Sequence, residues 1–284
     1  MYRAAVIIPH RNDPIRLTRC LDALVADIPA GVEIVVVDNG STAMPEGFAA
    51  SFPEVRFLSE PQPGAAHARN RGVAETTAER LFFVDCDCVP SPGWIDAALR
   101  EGPKADIVGG RVALFDETPR RRSGAQAFEA VFAFDNRRYV EEENFSVTAN
   151  LLTTRAVFDA VGPFRDGVSE DKDWCQRATR LGYGIAYADD LSVAHPTRAD
   201  WAALVRKWHR LTEEGHSLSR QSGRRIAWVA RAIATGPSAF VHAPRVLRKE
   251  GLTVGDRMAG LSVLFRIRWL RAWWMLKQSA GLPI

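Results

Sequence analysis

Residues 4–9 (AAVIIP), 33–38 (EIVVVD), 55–60 (VRFLSE) and 80–85 (RLFFVD) are short, apolar runs rich in β-branched and aromatic side chains. Each is too short for a helix and offers little polar face to water, which predicts strands covered on both sides. Between the first two the period changes. Leu17, Cys20, Leu21, Leu24, Val25 and Ile28 recur at helical spacing, with Asp13 as N-cap and Pro14 at the first helical position. They predict an amphipathic helix running up to Pro-Ala-Gly at 29–31. A second helix is expected from about Ala65 to Thr77. Strands alternating with helices predict an α/β fold: a mostly parallel, Rossmann-like sheet flanked by helices.

Farther along, 106–115 (DIVGGRVALF) and 145–154 (FSVTANLLTT) predict strands, 155–161 a helix and 183–196 (YGIAYADDLSVAHP) a last strand. SEDKDWCQRATRLG at 169–182 reads as a helix with Ser169 as N-cap, acids in its first turn, an Asp173 to Arg177 pair and Gly182 as its stop.

Composition changes this picture little. With 284 residues, 46% hydrophobic and 25% charged, the chain can bury a full core, and collagen, low-complexity and disulfide-scaffold readings are excluded. Four cysteines (Cys20, Cys86, Cys88, Cys175) read as reduced thiols of a cytosolic protein. The opening MYRAAVIIPHRND reads as entering a strand at once, from which we expect no secretion signal, and no run of about 18 residues is apolar enough to predict a membrane span. Charge is more telling. Residues 201–284 hold 15 Lys and Arg against 4 Asp and Glu, a net +11, whereas the first 200 hold 22 against 30, a net −8. The chain divides near Pro196 to Asp200, into a catalytic domain at 1–198 and a basic helical extension at 199–284.

In open α/β sheets ligands bind at the carboxyl ends of the strands. The unusual residues of this chain fall there, as PHRND after the first strand, DNGST after the second and DCDC after the fourth. Neither of the first two turns is a G-x-G-x-x-G fingerprint, and no G-x-x-x-x-G-K-[ST] occurs, so dinucleotide and P-loop chemistry lose support. Side chains alternate along a strand, so Asp85 and Asp87 are expected on one face and Cys86 and Cys88 on the other. Two such carboxylates suit a hard cation, Mg²⁺ or Mn²⁺, better than zinc, which wants four ligands of another kind. A solvated acidic turn is the plainer alternative.

AVIIPHRNDPIRLTRCLDAL, EIVVVDNGST, PGAAHARNRGVAET, LFFVDCDCVPSPGWI, TANLLTTRAVFDAVGPF and SEDKDW stand in the order found in glycosyltransferase family 2, and residues 3–196 resemble that family throughout. The resemblance implies a GT-A fold and a metal-dependent, inverting transfer of sugar from a nucleoside-diphosphate sugar, UDP-linked as the family's usual donors are, in polysaccharide or glycolipid assembly. It implies Asp87 as metal ligand, Asp85 beside it on metal or ribose, and His195 of the AHP segment as a further metal or diphosphate ligand. Asp38 and Asn39 match the pair that contacts the nucleotide base, although the family more often has Asp at the second position. Pro9, Arg11, Arg69 and Asn70 match the lining of the nucleotide and diphosphate pocket, and Asn150 a segment near the donor sugar. Asp171 matches the catalytic base. Glu170 beside it and Trp174, one turn on, are expected on the acceptor side, unless Glu170 only caps its helix and Trp174 belongs to the core. His10 and His67 match no fixed role.

The tail holds six of the eight tryptophans. In RMAGLSVLFRIRWLRAWWMLKQ, Arg266, Arg268, Arg271 and Lys277 interrupt what would otherwise be a span, a pattern of interfacial chemistry. We expect a cytoplasmic protein attached peripherally to an anionic membrane surface, with a saccharide or lipid-linked saccharide acceptor and no nucleic-acid partner; a helical lid is the other reading of the tail. Two other functions compete: a nucleotidyltransferase that makes sugar nucleotides, and an inactive sugar-binding or membrane scaffold of the same fold.

Overall fold

The computed structural model describes every residue except Met1, Ala43, Pro119, Arg120, Ser222 and Arg224. It divides into two compact units: 1–113 with 135–166 and 170–195, and 114–134 with 167–169 and 196–284.

The first unit is built on an eight-stranded sheet. In chain order its elements begin β1 (Ala4–His10), α1 (Pro14–Val25), β2 (Val32–Asp38), β3 (Val55–Ser59), α2 (Ala65–Glu75), β4 (Arg80–Phe83), β5 (Val89–Pro90), α3 (Trp94–Glu101) and β6 (Ile107–Phe115). After α4 (Gly124–Phe132) come α5 (Asn136–Glu143), β7 (Leu151–Thr154), α6 (Arg155–Val161), α7 (Glu170–Arg180) and β8 (Ile185–Pro196). Strand order is β3-β2-β1-β4-β7-β6-β8-β5. The sheet is mixed. β1, β2, β3 and β4 run parallel, while β7 is antiparallel to β4 and β6, and β5 to β8.

Every residue of β1 is buried, as a strand roofed on both faces must be. Alternate side chains feed two cores. Val6, Ile8, Ile34, Val36 and Phe82 join Leu17, Leu21 and Trp94 on one face. Ala5, Ile7, Leu81 and Phe83 join Phe158, Phe164 and Trp174 on the other. α1 starts where Asp13 accepts from the Arg16 N–H and Pro14 fills the first turn; it stops at Val25, short of the expected end. α2 lies close against β1 because residue 72 is glycine: a Cβ there would stand 2.5 Å from Ile7 Cγ2.

Two expectations fail. β4 ends at Phe83, so the two acids behind it are not strand residues. The expected strand at 145–154 is a one-turn helix at Thr148–Asn150 followed by the short β7. The upstream backbone is held by side chains instead of a ladder: Val147 N–H donates to Asn136 Oδ1 (3.1 Å), and Asn136 Nδ2 donates to Ser146 Oγ (3.0 Å).

The second unit is helical: α4, α8 (Trp201–Gln221), α9 (Arg225–Thr235), α10 (Ser238–Arg248) and α11 (Val254–Ser279). Phe128, Leu204, Val246, Val263, Leu264 and Ile267 form its core. The 26-residue α11 opens on a capping box, in which Asp256 N–H donates to Thr253 Oγ1 (3.2 Å) and Thr253 N–H to Asp256 Oδ2 (3.0 Å). Glu129 is buried between Arg198 and Lys207, at 3.0 and 2.8 Å. Among the described residues no helix is long and apolar enough to cross a membrane.

Candidate active site

Because β1, β2 and β4 are parallel, their carboxyl ends share one edge of the sheet. β7 runs the other way, with Leu151 opposite Phe83, so Asn150 enters at the same edge. His10, Asp38, the turn after β4 and the start of β7 are thereby gathered although far apart in sequence.

At the exit of β1, Asp13 N–H donates to His10 Nε2 (3.0 Å), which makes that nitrogen an acceptor. The proton therefore sits on Nδ1 and is donated to Asp38 Oδ1 (3.1 Å). The other oxygen of Asp38 accepts from the Ser41 N–H (3.1 Å). His10 is buried and Asp38 partly open, so the imidazole sets the aspartate's direction while leaving it reachable. No pattern around His10 in the sequence announced this role.

The acids of DCDC lie in a turn closed by the Cys88 N–H on Asp85 O (3.0 Å). Strand alternation therefore does not apply, and the carboxylates separate. Asp85 Oδ1 receives the buried Arg69 guanidinium at 2.5 Å, and the same guanidinium reaches Glu170 Oε1 at 2.8 Å. Asp87 Oδ2 lies 3.3 Å from His195 Nε2 at the end of β8. Burial pushes the thiols of Cys86 and Cys88 well up, which keeps them neutral between the acids.

Asp171 stands in the first turn of α7, half-buried. Its carboxyl is pushed up to about 7, by burial first and by the charge of Glu170 second, against the pull of the Lys172 N–H and of Arg69. The Lys172 N–H donates to its Oδ1 at 2.7 Å. A helix N-terminus alone would favour ionisation; desolvation and a like charge win here.

The structure redirects several expected site residues. Trp174 is fully buried, its ring packed against Phe158 and Phe164 and its indole N–H donating to Gly162 O (2.9 Å), so it is core and no acceptor platform. Asn150 is fully buried too: Trp94 Nε1 donates to its carbonyl (3.2 Å), and its amide donates to Arg111 O and Leu191 O (2.9 and 2.8 Å). It ties strands together. The approach requires Gly110, where a Cβ would meet Asn150 Nδ2 at 2.3 Å. Asn70 exchanges two bonds with the backbone of Phe164, both 2.9 Å. Asn39 gives both amide protons to Glu60 O and Gln62 O (2.9 and 2.7 Å) and accepts from the Gly64 N–H (2.7 Å), so it shapes the 60–64 loop. Asp85 and Glu170 are each held by Arg69 through one carboxylate oxygen. Pro9 is buried in β1; Arg11 is exposed just beyond it.

Among the described residues no three His, Cys, Asp or Glu side chains converge as a ready metal cage. Asp87 and His195 form a two-donor clamp of one carboxylate and one imidazole. This fits a cation that takes its remaining ligands from phosphate oxygens and water, and it does not fit a closed structural zinc site.

The mixed α/β sheet, with acids and cations gathered at its carboxyl edge, has the GT-A fold, as its likeness to solved structures shows. The sequence profile of glycosyl transferase family 2 matches residues 5–166, and the chain belongs to that family. It is a glycosyltransferase. It is 29% identical over 270 residues to "Glycosyltransferase AglE" of Haloferax volcanii, an alignment covering 89% of this chain and 88% of that one. It is 26% identical to the "Pre-mycofactocin glycosyltransferase" of Mycobacterium tuberculosis, over 81% of this chain and 53% of that protein, about half the relative's length. Among solved structures, the mannosyltransferase PcManGT of Pyrobaculum calidifontis, in complex with GDP-Man and Mn²⁺, superposes with a TM-score of 0.54 at 17% identity, covering 98% of this chain and 75% of that one. TarS of S. aureus superposes at 0.55 and 16% identity, covering 99% and 92%.

Proposed function

We propose that the chain moves a sugar from a nucleoside-diphosphate sugar, UDP-linked in the first instance, to an acceptor hydroxyl by a single inverting displacement. The observation that carries this reading is Asp171, a half-buried carboxyl held up to about 7 and coupled to Arg69, Glu170 and Asp85. A general base works best with a pKa near the working pH, and Asp171 is the carboxylate so tuned. It takes the acceptor's proton as the hydroxyl attacks the anomeric carbon and the bond to the diphosphate breaks. Arg69 holds Asp85 and Glu170 in fixed positions, and Asp38, aimed by His10, receives the nucleoside.

Asp87 and His195 would hold a divalent cation, Mn²⁺ or Mg²⁺, that neutralises charge on the departing diphosphate. The imidazole favours Mn²⁺, since Mg²⁺ is bound through oxygens. The acceptor is a saccharide or lipid-linked saccharide of polysaccharide or glycolipid assembly, met on the cytoplasmic face of an anionic membrane.

Thermal unfolding in the presence of UDP-sugars and GDP-sugars, with Mn²⁺ and with EDTA, tests the reading; GDP-sugars enter because PcManGT is complexed with one. At a hundredfold excess over Kd, a donor that binds only the folded chain stabilises it by about 2.7 kcal/mol. We expect that shift with Mn²⁺ only, and its loss in Asp87→Ala. Equal shifts in EDTA would remove the metal from the mechanism.

A further inference from the structure

The second unit carries cations with few acids to meet them. No Asp or Glu occurs between Glu214 and Glu250, and none after Asp256. Of the four acids beyond residue 200, Asp256 caps α11, while Glu213 and Glu214 pair within α8 with His209 and Arg210. α9, α10 and the remainder of α11 therefore set Arg225, Arg231, Arg245, Arg248, Arg266 and Arg268 on acid-free sequence. Burial, then the charges of Arg231 and Arg245, hold the Arg268 guanidinium below its ordinary range, so three helices bring like charges together.

The same helices expose apolar stripes. On α9, Ile226 (87% exposed), Val229 and Ile233 (64%) follow i, i+3, i+7 spacing. On α11, Trp269 (53%), Trp273 (60%) and Leu276 follow i, i+4, i+7. Each set lies on one helix face. The two helices are packed together through Trp228, Ala232 and Met275. A cavity of about 560 Å³ is lined by Glu213, His216, Ser217, Arg220, Arg225 and Gln278. A second cavity adds Trp228 and Val229 of α9 to this lining, so the cationic recess adjoins the α9 stripe.

Exposed tryptophans and aliphatics beside arginines need a partner that is apolar within and anionic at its surface. A bilayer meets both requirements: indoles settle at the headgroup level, and Lys and Arg are drawn to anionic lipid. Nucleic acid meets only one: bases could stack on Trp269 and Trp273, but it has no apolar interior to take Ile226, Val229, Ile233 and Leu276.

We propose that the exposed stripes of α9 and α11 seat the protein on an anionic phospholipid surface, with the Arg220 and Arg225 recess taking a lipid phosphate. This deepens the membrane part of the function proposed above by naming the face and the headgroup chemistry. The association itself requires neither donor nor metal.

The test is flotation of the full chain with phosphatidylcholine vesicles, with and without 30 mol% phosphatidylglycerol, at low and high salt. We expect binding to the anionic vesicles at least about tenfold above neutral ones, weakened by salt as a screened contact must be. Ile233→Ser with Trp273→Ser should lower it about tenfold or more, and Arg225→Glu should lower it at low salt only. Circular dichroism and the Mn²⁺-dependent donor shift should remain unchanged in all variants. Equal binding to both vesicles, or a double variant that floats like the parent, overturns the proposal. So does an inorganic phosphate concentration matched to the lipid that abolishes flotation, since the recess would then be a free-phosphate site. No sugar is transferred in this assay, so its failure and that of the glycosyltransfer mechanism are separately visible.

Discussion

Trp174 in the first unit and Trp273 in the second are chemically the same side chain in opposite settings. The first is enclosed by Phe158 and Phe164 with its N–H on a carbonyl; the second is 60% exposed on a helix whose later half has no acid. The charges of the two units differ in parallel. In the first, Arg69 closes on Asp85 and Glu170, His195 on Asp87 and His10 on Asp38. In the second, Glu129 gathers Arg198 and Lys207, while α9, α10 and the later part of α11 set their cations on acid-free sequence. Closed pairs preorganise a site, because geometry fixed beforehand costs nothing at the moment of reaction. Cations without acids, set beside exposed rings, leave their free energy to be gained from a partner.

The contrast can be broken most severely at the base. Asp171→Asn should lower kcat by a factor of about 10²–10⁴ with donor binding kept; near-normal turnover would sink the assignment. Next come the tryptophans. Trp174→Ala should destabilise the fold by about 3–5 kcal/mol, against less than about 0.5 kcal/mol for Trp273→Ala, as read by urea unfolding. Equal losses would erase the distinction between core and surface.

The smallest effect concerns pH. Only ionised Asp171 can accept a proton, so kcat/KM should rise with pH through about 7. Its folded carboxyl lies above the unfolded value of 3.8, so the native state holds that proton longer, and this group's contribution to stability falls as pH climbs from the carboxylate range through about 7. Glu170→Gln removes the like charge beside it and should move the kinetic limb to lower pH. A limb that stays in place would mean that burial alone sets the base.

Much of the fold was legible because its signals are local. The all-buried β1, the Asp13 and Pro14 start of α1, and α6 at 155–161 follow from period, cap chemistry and sterics within a few residues. The stretch before β7 was misread because its backbone bonds go to Asn136, a partner no local window contains. The D-x-D pair shows the same limit: two acids behind a buried run were visible, but a turn sends one to Arg69 and the other to His195.

The sequence by itself determined which stretches must be buried, where helices start and which carboxylates end up at the sheet's edge, because each depends on neighbours along the chain. Only the tertiary structure decided what those carboxylates meet. Arg69 and Glu170 are 101 residues apart, and whether an asparagine or tryptophan faces solvent or core depends on elements brought against it from elsewhere. That is why the sequence could not say that Trp174 packs in the core or that Asn150 ties strands together, and why His10, silent in the sequence, emerged as the group that aims Asp38.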